Sequence, residues 1–320
     1  MFVGNVSAAA DYMAPGAIEI NRYQQEIFDL IRRRGVFGQR IPHTPATGQP
    51  SRWFEQTAIP SAAFTDPRQL SATASQPTRA ERVVTLKALI SQINYGIFDV
   101  EINAQQGAFA YLEAKDLSDT VDGVLKVHDQ ALWTGTDTDL TVPTTTQYFG
   151  VSGQIAKATQ VGSVSQLAQI SSTGSLVDGI KTQVAQMISR TDFEVRPDTI
   201  YTNPLFGDLL DQEAKTVQLY FDKVEVMPGV IVKALPTQAG ILPLVPEPFI
   251  TNLASGALKQ YAAFVLSESC IEYHWLTSPM PRVFQLGLLG NLASQYVVVK
   301  FGGVVVKGAA YAHSLVFTVR

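Results

Sequence analysis

Cys270, Glu272 and His274 are the side chains that come nearest to a nucleophile set: a thiol to attack, a carboxylate to orient, an imidazole to take the proton. The intervening Ile271, Tyr273 and Trp275 predict a strand, which puts the three on one face. A strand rises about 3.3 Å per residue, so Cys270 and His274 stand roughly 13 Å apart. Hydrogen-bonded activation does not cross that gap, and the pair reads as a small buried cysteine and a satisfied histidine. The four histidines, at 43, 128, 274 and 313, include no pair with the spacing of a helical zinc site. His128 reads as a packed or interfacial residue without an acid or base partner. Gly303 and Gly308 have the glycine spacing of a phosphate loop, but Ala309 and Ala310 stand where lysine and a hydroxyl residue must follow, so they read as a β-turn glycine pair. Neither GxGxxG nor GxSxG occurs. The expectation is a protein with no catalytic site, no metal and no cofactor.

Composition points away from further function classes. With a net charge of −4, the chain lacks the basic surplus on which sequence-independent phosphate binding rests. A single cysteine excludes an intrachain disulfide and a cysteine-built zinc site, and suits a reducing cytoplasm. Residues 1–18 have no secretory pattern, and the uncharged stretch 283–299 is broken by Gln285, Asn291, Ser294 and Gln295, so neither export nor membrane spanning is expected. Charged residues make up only 16% of the 320, against about 25% ordinarily, which fits a chain that hides much of its exterior against copies of itself. A polar Ser, Thr and Gln surface gives the same count.

The elements that must position these residues follow from periodicity. Ile20, Tyr23, Ile27, Leu30 and Ile31 predict an amphipathic helix that ends in Arg32, Arg33 and Arg34 and stops at Gly35. Residues 36–80 carry six prolines and little apolar periodicity, predicting a long extended loop or two-stranded arm. Trp53 and Phe54 within it argue for order, so it reads as a projection that needs a partner surface. Residues 104–134, with Phe109, Leu112, Leu117, Val121, Val124, Leu125, His128 and Leu132, predict a helix about 45 Å long, closed by Gly135. Nine acids between positions 99 and 139 face only Lys115 and Lys126, whereas the loop carries Arg40, Arg52, Arg68 and Arg79 against Glu55 and Asp66. These opposite signs invite contact, and a plain solvated face explains them equally well. Residues 136–172 read as a loop or β-edge excursion. A second helix carries Leu176, Ile180, Val184, Met187 and Ile188. A strand at 198–201 then leads into Asn203 and Pro204, a cap and first residue for a helix with Leu205, Phe206, Leu209 and Leu210. Strands are expected at 224–226, 230–232, 262–266, 271–275, 296–301, 304–306 and 314–319.

This succession resembles the major capsid proteins of tailed bacteriophages, the Hong Kong 97 (HK97) type of shell fold, over nearly the whole chain. The stretches that carry the likeness run through residues 178–188 into Pro197-Asp198-Thr199-Ile200-Tyr201-Thr202-Asn203-Pro204, and through Val304-Val305-Val306-Lys307 to Ala310-Tyr311-Ala312-His313. The resemblance implies an α+β fold: residues 1–35 an N-terminal arm, 36–95 an extended loop (E-loop) reaching over an adjacent subunit, 96–196 a peripheral (P) domain with the spine helix at 104–134, 197–294 an axial (A) domain, and 295–320 strands returning to the peripheral domain. It further implies a virion protein, assembled in the host cytoplasm as hexamers and pentamers of an icosahedral shell. Portal and scaffolding proteins would be its partners, with room for a cement or decoration protein, and packaged double-stranded DNA would be touched without sequence preference. Since the chain starts almost directly with the arm, the scaffold is expected to be a separate protein. Some relatives weld the loop to a neighbour through a lysine. Here no lysine precedes Lys87, so no covalent chainmail is expected. Candidate intersubunit contacts are Arg32, Arg33, Arg34, Arg40, Arg52, Trp53, Phe54 and Arg68, with Asp116, Asp119 and Asp122 on the acidic helix, since aromatics and arginine dominate interface hot spots. An encapsulin-like compartment shares the fold and is the alternative; a cytoplasmic hydrolase is a weaker one.

Overall fold

A computed structural model describes residues 34–66, 68, 75–96, 98, 101, 112–158, 167–216, 221–251, 253–255, 258–289 and 293–319. The helix expected at 20–31, with Arg32 and Arg33, lies outside them, as does the start of the helix expected from residue 104. In chain order the elements are α1 (Phe37–Arg40), β1 (His43–Pro45), β2 (Ser51–Ala58), β3 (Thr78–Val84), β4 (Lys87–Gly96), α2 (Leu112–Thr134), α3 (Val151–Ala158), β5 (Leu167–Ile170), α4 (Leu176–Ile188), β6 (Thr199–Thr202), α5 (Pro204–Thr216), β7 (Asp222–Met227), β8 (Val230–Thr237), β9 (Gly240–Pro246), β10 (Leu253–Ser255), β11 (Leu258–Leu266), β12 (Ile271–Trp275), β13 (Arg282–Leu289), β14 (Ala293–Val306) and β15 (Ser314–Val319).

The first sheet is organised by β14. One edge pairs with β4 from Ala293↔Gly96 to Gly302↔Lys87. The opposite edge pairs with β13 and then with β12, which carries β1 in parallel on its far side. The second sheet runs β5-β15-β11-β6-β9-β8-β7, with β10 on β11. β2 and β3 form a separate antiparallel hairpin.

Three apolar clusters hold these layers together. In the first, Trp133 from α2 meets Phe37 of α1 at 4.4 Å and Phe264 of β11 at 5.0 Å between ring centres. In the second, Leu176, Ile180, Val184 and Met187 of α4 are fully buried, the i, i+4, i+8 stripe the sequence predicts. Burying each such side chain contributes about 1.5–3 kcal/mol. Ser175 caps this helix by accepting from Asp178 N–H at 3.1 Å. Asn203 caps α5 as expected, accepting from Leu205 N–H at 2.9 Å. The buried stripe of α5 is Phe206, Leu210 and Ala214, while Leu205 faces solvent. The third cluster, Val84, Leu86 and Val305 with Trp53, lies under the hairpin.

Several expectations change. Residues 136–172 are more than an excursion: α3 lies within them with Val151 and Ile155 fully buried, and β5 joins β15 in parallel. Its eight residues include Gly153 and Ser152, too short and too poor in helix formers to be read from periodicity. The stretch at 36–45 is not part of a projection, because Phe37 and Ile41 belong to the first core cluster. Gly303 lies inside β14, opposite His274, rather than in a turn. Gly308, at φ +60°, is the residue the following turn requires. β9 and β13 were not anticipated, and the runs 296–301 and 304–306 are one strand.

Candidate functional site

The nucleophile set dissolves in the structure. Cys270 ends the single-turn 3₁₀ helix Glu268–Cys270, just before β12, and bonds to neither Glu272 nor His274 among the contacts described. His274 instead joins a partner the sequence gave no sign of: Ser51 Oγ lies 2.9 Å from its Nδ1, and Glu272 Oε2 3.2 Å from its Nε2. A neutral imidazole protonated on Nε2 satisfies both, donating to Glu272 and accepting from Ser51. Burial lowers the His274 pKa, which keeps it neutral. Burial also pushes Glu272 up, but Lys307 and His274 outweigh it and hold the carboxyl below its ordinary range. The order Ser-His-Glu is that of a hydrolase triad, yet Ser51 is only 1% exposed and no substrate carbonyl can reach it. The network is a tie: it fastens the first residue of the hairpin to β12. Among the described residues, no three His, Cys, Asp or Glu side chains cluster to hold a metal, and no helix is long and apolar enough to cross a membrane.

Further ties surround that one. The Gln49 side chain accepts from Leu86 N–H at 2.9 Å and donates to Leu86 O at 3.3 Å, imitating a strand partner. Thr85 N–H donates to Leu140 O at 2.8 Å, and Thr85 Oγ1 to Thr141 O at 3.0 Å. Lys87 Nζ lies 2.6 Å from Asp137 Oδ2, with both side chains largely shielded. Burial would raise the Asp137 pKa, but Lys87 and the Thr138 and Thr144 donors drive it well below the usual carboxylate range. Beyond this base, Glu55 Oε1 accepts from Gly308 N–H at 3.3 Å and from Trp53 Nε1 at 3.1 Å. Between hairpin and body lies a cleft of about 570 Å³ lined by Trp53, Arg82, Phe149, Lys157, Val306 and Tyr311, among others.

Alternation sorts the hairpin residues by face. Trp53 turns inward, its ring 6.0 Å from that of His274, whereas Phe54 is 71% exposed. Ile59 and Phe64, beyond β2, are also exposed. Arg52 pairs with Glu81 across the hairpin at 2.9 Å on the exposed face, and Arg68 is exposed.

The remaining predicted residues divide between contacts inside the chain and open surface. Arg40 makes a two-pronged pair with Glu268, both prongs at 2.8 Å, and reaches Val226 O at 3.3 Å, so it anchors the end of α1 to the second sheet. Arg34 Nη2 lies 3.8 Å from Asp122 Oδ1, and Lys115 lies 3.6 Å from Asp119. Asp116 is half-buried on the same helix. The loop arginines at 40 and 52 thus meet glutamates rather than the acids of α2. His128 is packed, its ring 4.7 Å from that of Tyr273.

No protein-family model matches the sequence, and no curated protein matches it significantly. Solved structures match from end to end. The holo-SrpI encapsulin complex from Synechococcus elongatus PCC 7942 is 12% identical, covering 99% of this chain and 95% of that one at a TM-score of 0.62. The capsid of Myoviridae phage XM1 is 9% identical, covering 95% and 99% at 0.62. A structure from Mycobacterium phage Adephagia is 14% identical, covering 99% and 98% at 0.59. The chain has the HK97 capsid fold. Proteins of the HK97 fold that build shells are structural rather than enzymatic. The long helix α2 packs against β4 and β14 of the first sheet. The tie of Ser51 to His274, missed from sequence, joins residues 223 positions apart, and no local pattern signals such a pairing.

Proposed function

We propose that this chain is the major capsid protein of a tailed bacteriophage, assembling as hexamers and pentamers into the icosahedral head that encloses double-stranded DNA. The observation that carries the reading is the end-to-end likeness to a phage capsid, near-complete in both chains. The projecting hairpin supports it. Its base is tied at Gln49, Ser51, Thr85 and Lys87, while Phe54, Ile59 and Phe64 face outward with nothing of the described chain over them. Apolar surface of that kind gains stability by lying on another copy, and many such contacts multiply in a closed symmetric shell.

In this reading residues 1–35 are the N-terminal arm, 36–95 the extended loop with its opening stretch seated in the body, 96–196 the peripheral domain, 197–294 the axial domain and 295–320 the returning strands. Phe54, Arg52 and Arg68 are the loop side chains best placed to touch a neighbour, and Asp116 lies on the helix available to receive one. Portal and scaffolding proteins, with or without a cement protein, would be partners in the virion.

An encapsulin-like compartment is the second reading, favoured by the equally complete match to an encapsulin complex. Negative-stain microscopy of purified protein is expected to show closed angular shells, and a stable monomer at high concentration refutes both readings. Nuclease-resistant double-stranded DNA in particles from the native source supports the viral head. An enclosed protein without DNA supports the compartment.

A further inference from the structure

Residues 34–38 form a strap against α2 and the turn after β9, and three consecutive backbone amides in it are held by two carboxylates. Gly35 N–H donates to Asp129 Oδ2 at 2.9 Å, and Val36 and Phe37 N–H donate to Glu247 Oε2 at 2.8 and 3.0 Å. The glycines permit this closeness. A Cβ on Gly35 would stand 2.8 Å from Glu247 Oε1, and one on Gly38 would stand 2.4 Å from Asp129 Oδ1. Gly38 therefore lies directly over Asp129, and the strap itself helps close that carboxylate from water. Asp129 is 6% exposed and Glu247 fully buried.

The charged groups around Asp129 come from every side. Glu247 faces it from the turn after β9, Lys300 from β14 and Arg34 from the strap. His128, its neighbour on α2, is held neutral by burial first and then by Lys300 and His43 of β1. Lys300 donates to Pro279 O and lies 4.7 Å from the Tyr273 ring centre, so its charge is shared with groups other than the carboxylates.

We propose that the strap at residues 34–38 is a proton-sensitive clasp, in which a proton on Asp129 tightens its docking against α2 and loss of that proton favours lifting. The sign follows from the geometry. Docked, an ionised Asp129 is short of water and close to the like charge of Glu247, and this outweighs the Gly35 N–H and the Arg34 and Lys300 cations that favour it; lifted, it is hydrated. The docked state binds the proton more tightly, so by linkage the proton favours docking. Burial, followed in opposition by the Gly35 hydrogen bond and then by repulsion from Glu247, leaves the Asp129 pKa pushed up from 3.8 to about 6. If the lifted state titrates near the ordinary value, the docking equilibrium weakens about tenfold between pH 5 and pH 7.5. This inference does not depend on whether the chain encloses DNA or a cargo protein.

Hydrogen exchange at the amides of residues 35–37 in the full chain, corrected for the intrinsic rate, reads the clasp directly. Opening at pH 7.5 is expected to be about tenfold more frequent than at pH 5. Asp129→Asn keeps an acceptor for Gly35 but carries no charge, and it is expected to stay protected at both pH values. Equal protection of the wild type at the two pH values, or stronger protection at pH 7.5, overturns the proposal. So does a variant that keeps the wild-type response. Should the variant not fold, the wild-type series decides alone.

Discussion

Replacing Lys87 with Met tests whether the hairpin base is held by its shielded ion pair. Asp137 accepts from Lys87 Nζ at 2.6 Å, Thr138 N–H at 2.8 Å, Thr144 N–H at 2.9 Å and Thr144 Oγ1 at 2.7 Å. Lys87→Met keeps the stem and removes the charge, leaving a shielded carboxylate with three neutral donors. An exposed pair is worth at most about 1 kcal/mol, and orphaning one partner of a deeply buried pair costs about 3–5 kcal/mol. Asp137 is screened by the surrounding loop of threonines rather than by the apolar core, and its other donors remain, so a cost of about 2 kcal/mol is expected, roughly 30-fold in the folded population. The pH dependence carries a sign. A carboxyl whose folded pKa is depressed contributes stability above its ordinary value and loses it as pH falls through the folded value. The deficit of the variant is therefore full at neutral pH and begins to shrink as pH falls below the ordinary carboxylate value, where the unfolded chain takes up the proton first. Denaturant unfolding of dissociated subunits at pH 7 and near pH 3 measures both. A variant within about 0.5 kcal/mol of wild type at pH 7, or one whose deficit persists unchanged in acid, refutes the reasoning.

Gly302→Ala is expected to abolish soluble folded protein, because the new Cβ would stand 2.2 Å from Tyr273 Oη and 2.6 Å from the His274 carbonyl oxygen at the heart of the β12–β14 pairing; soluble expression and circular dichroism check this. Burial holds His128, His274 and His313 below their ordinary pKa, His313 at about 4, so stability should fall as pH drops from about 6.5 toward 4, offset in part by Asp129; thermal melts across that range read the slope. Denaturing gels of assembled particles should show a single monomer band without ladders, since the extended loop has no lysine from residue 36 to 80. Phe54→Ser should leave subunit stability within about 0.5 kcal/mol, because the ring is exposed, and lower the yield of shells counted by microscopy.

The elements legible in the sequence are those whose burial is one-sided and local. The stripe of α4, the Asn203 cap of α5, the strand at β12 and the closing β15 each announce themselves within a dozen residues. The hairpin is legible as a prolonged arm, and the alternation of Trp53 and Phe54 places one inward and one outward once pairing with β3 is known. What stays hidden depends on distant partners. Residues 36–45 read as loop because Phe37 and Ile41 have no neighbouring apolar repeat; their companions are Trp133 and Tyr201, supplied by α2 and β6. Arg40 reads as a candidate intersubunit contact, and only the turn at Glu268 shows that its charge is answered within the chain. α3 is hidden because its burial is settled by α2 and β14 rather than by its own composition.

The ten-residue ladder between β4 and β14 has a mechanical consequence. The hairpin continues through Thr85 and Leu86 into β4, so a pull directed along β4 strains the whole ladder at once in shear, instead of peeling its hydrogen bonds apart singly. The side-chain fastenings at Gln49, Ser51 and Thr85 lie ahead of that ladder on the line of force. Tension on the arm would therefore part those fastenings and tilt the hairpin while the sheet behind it holds its register.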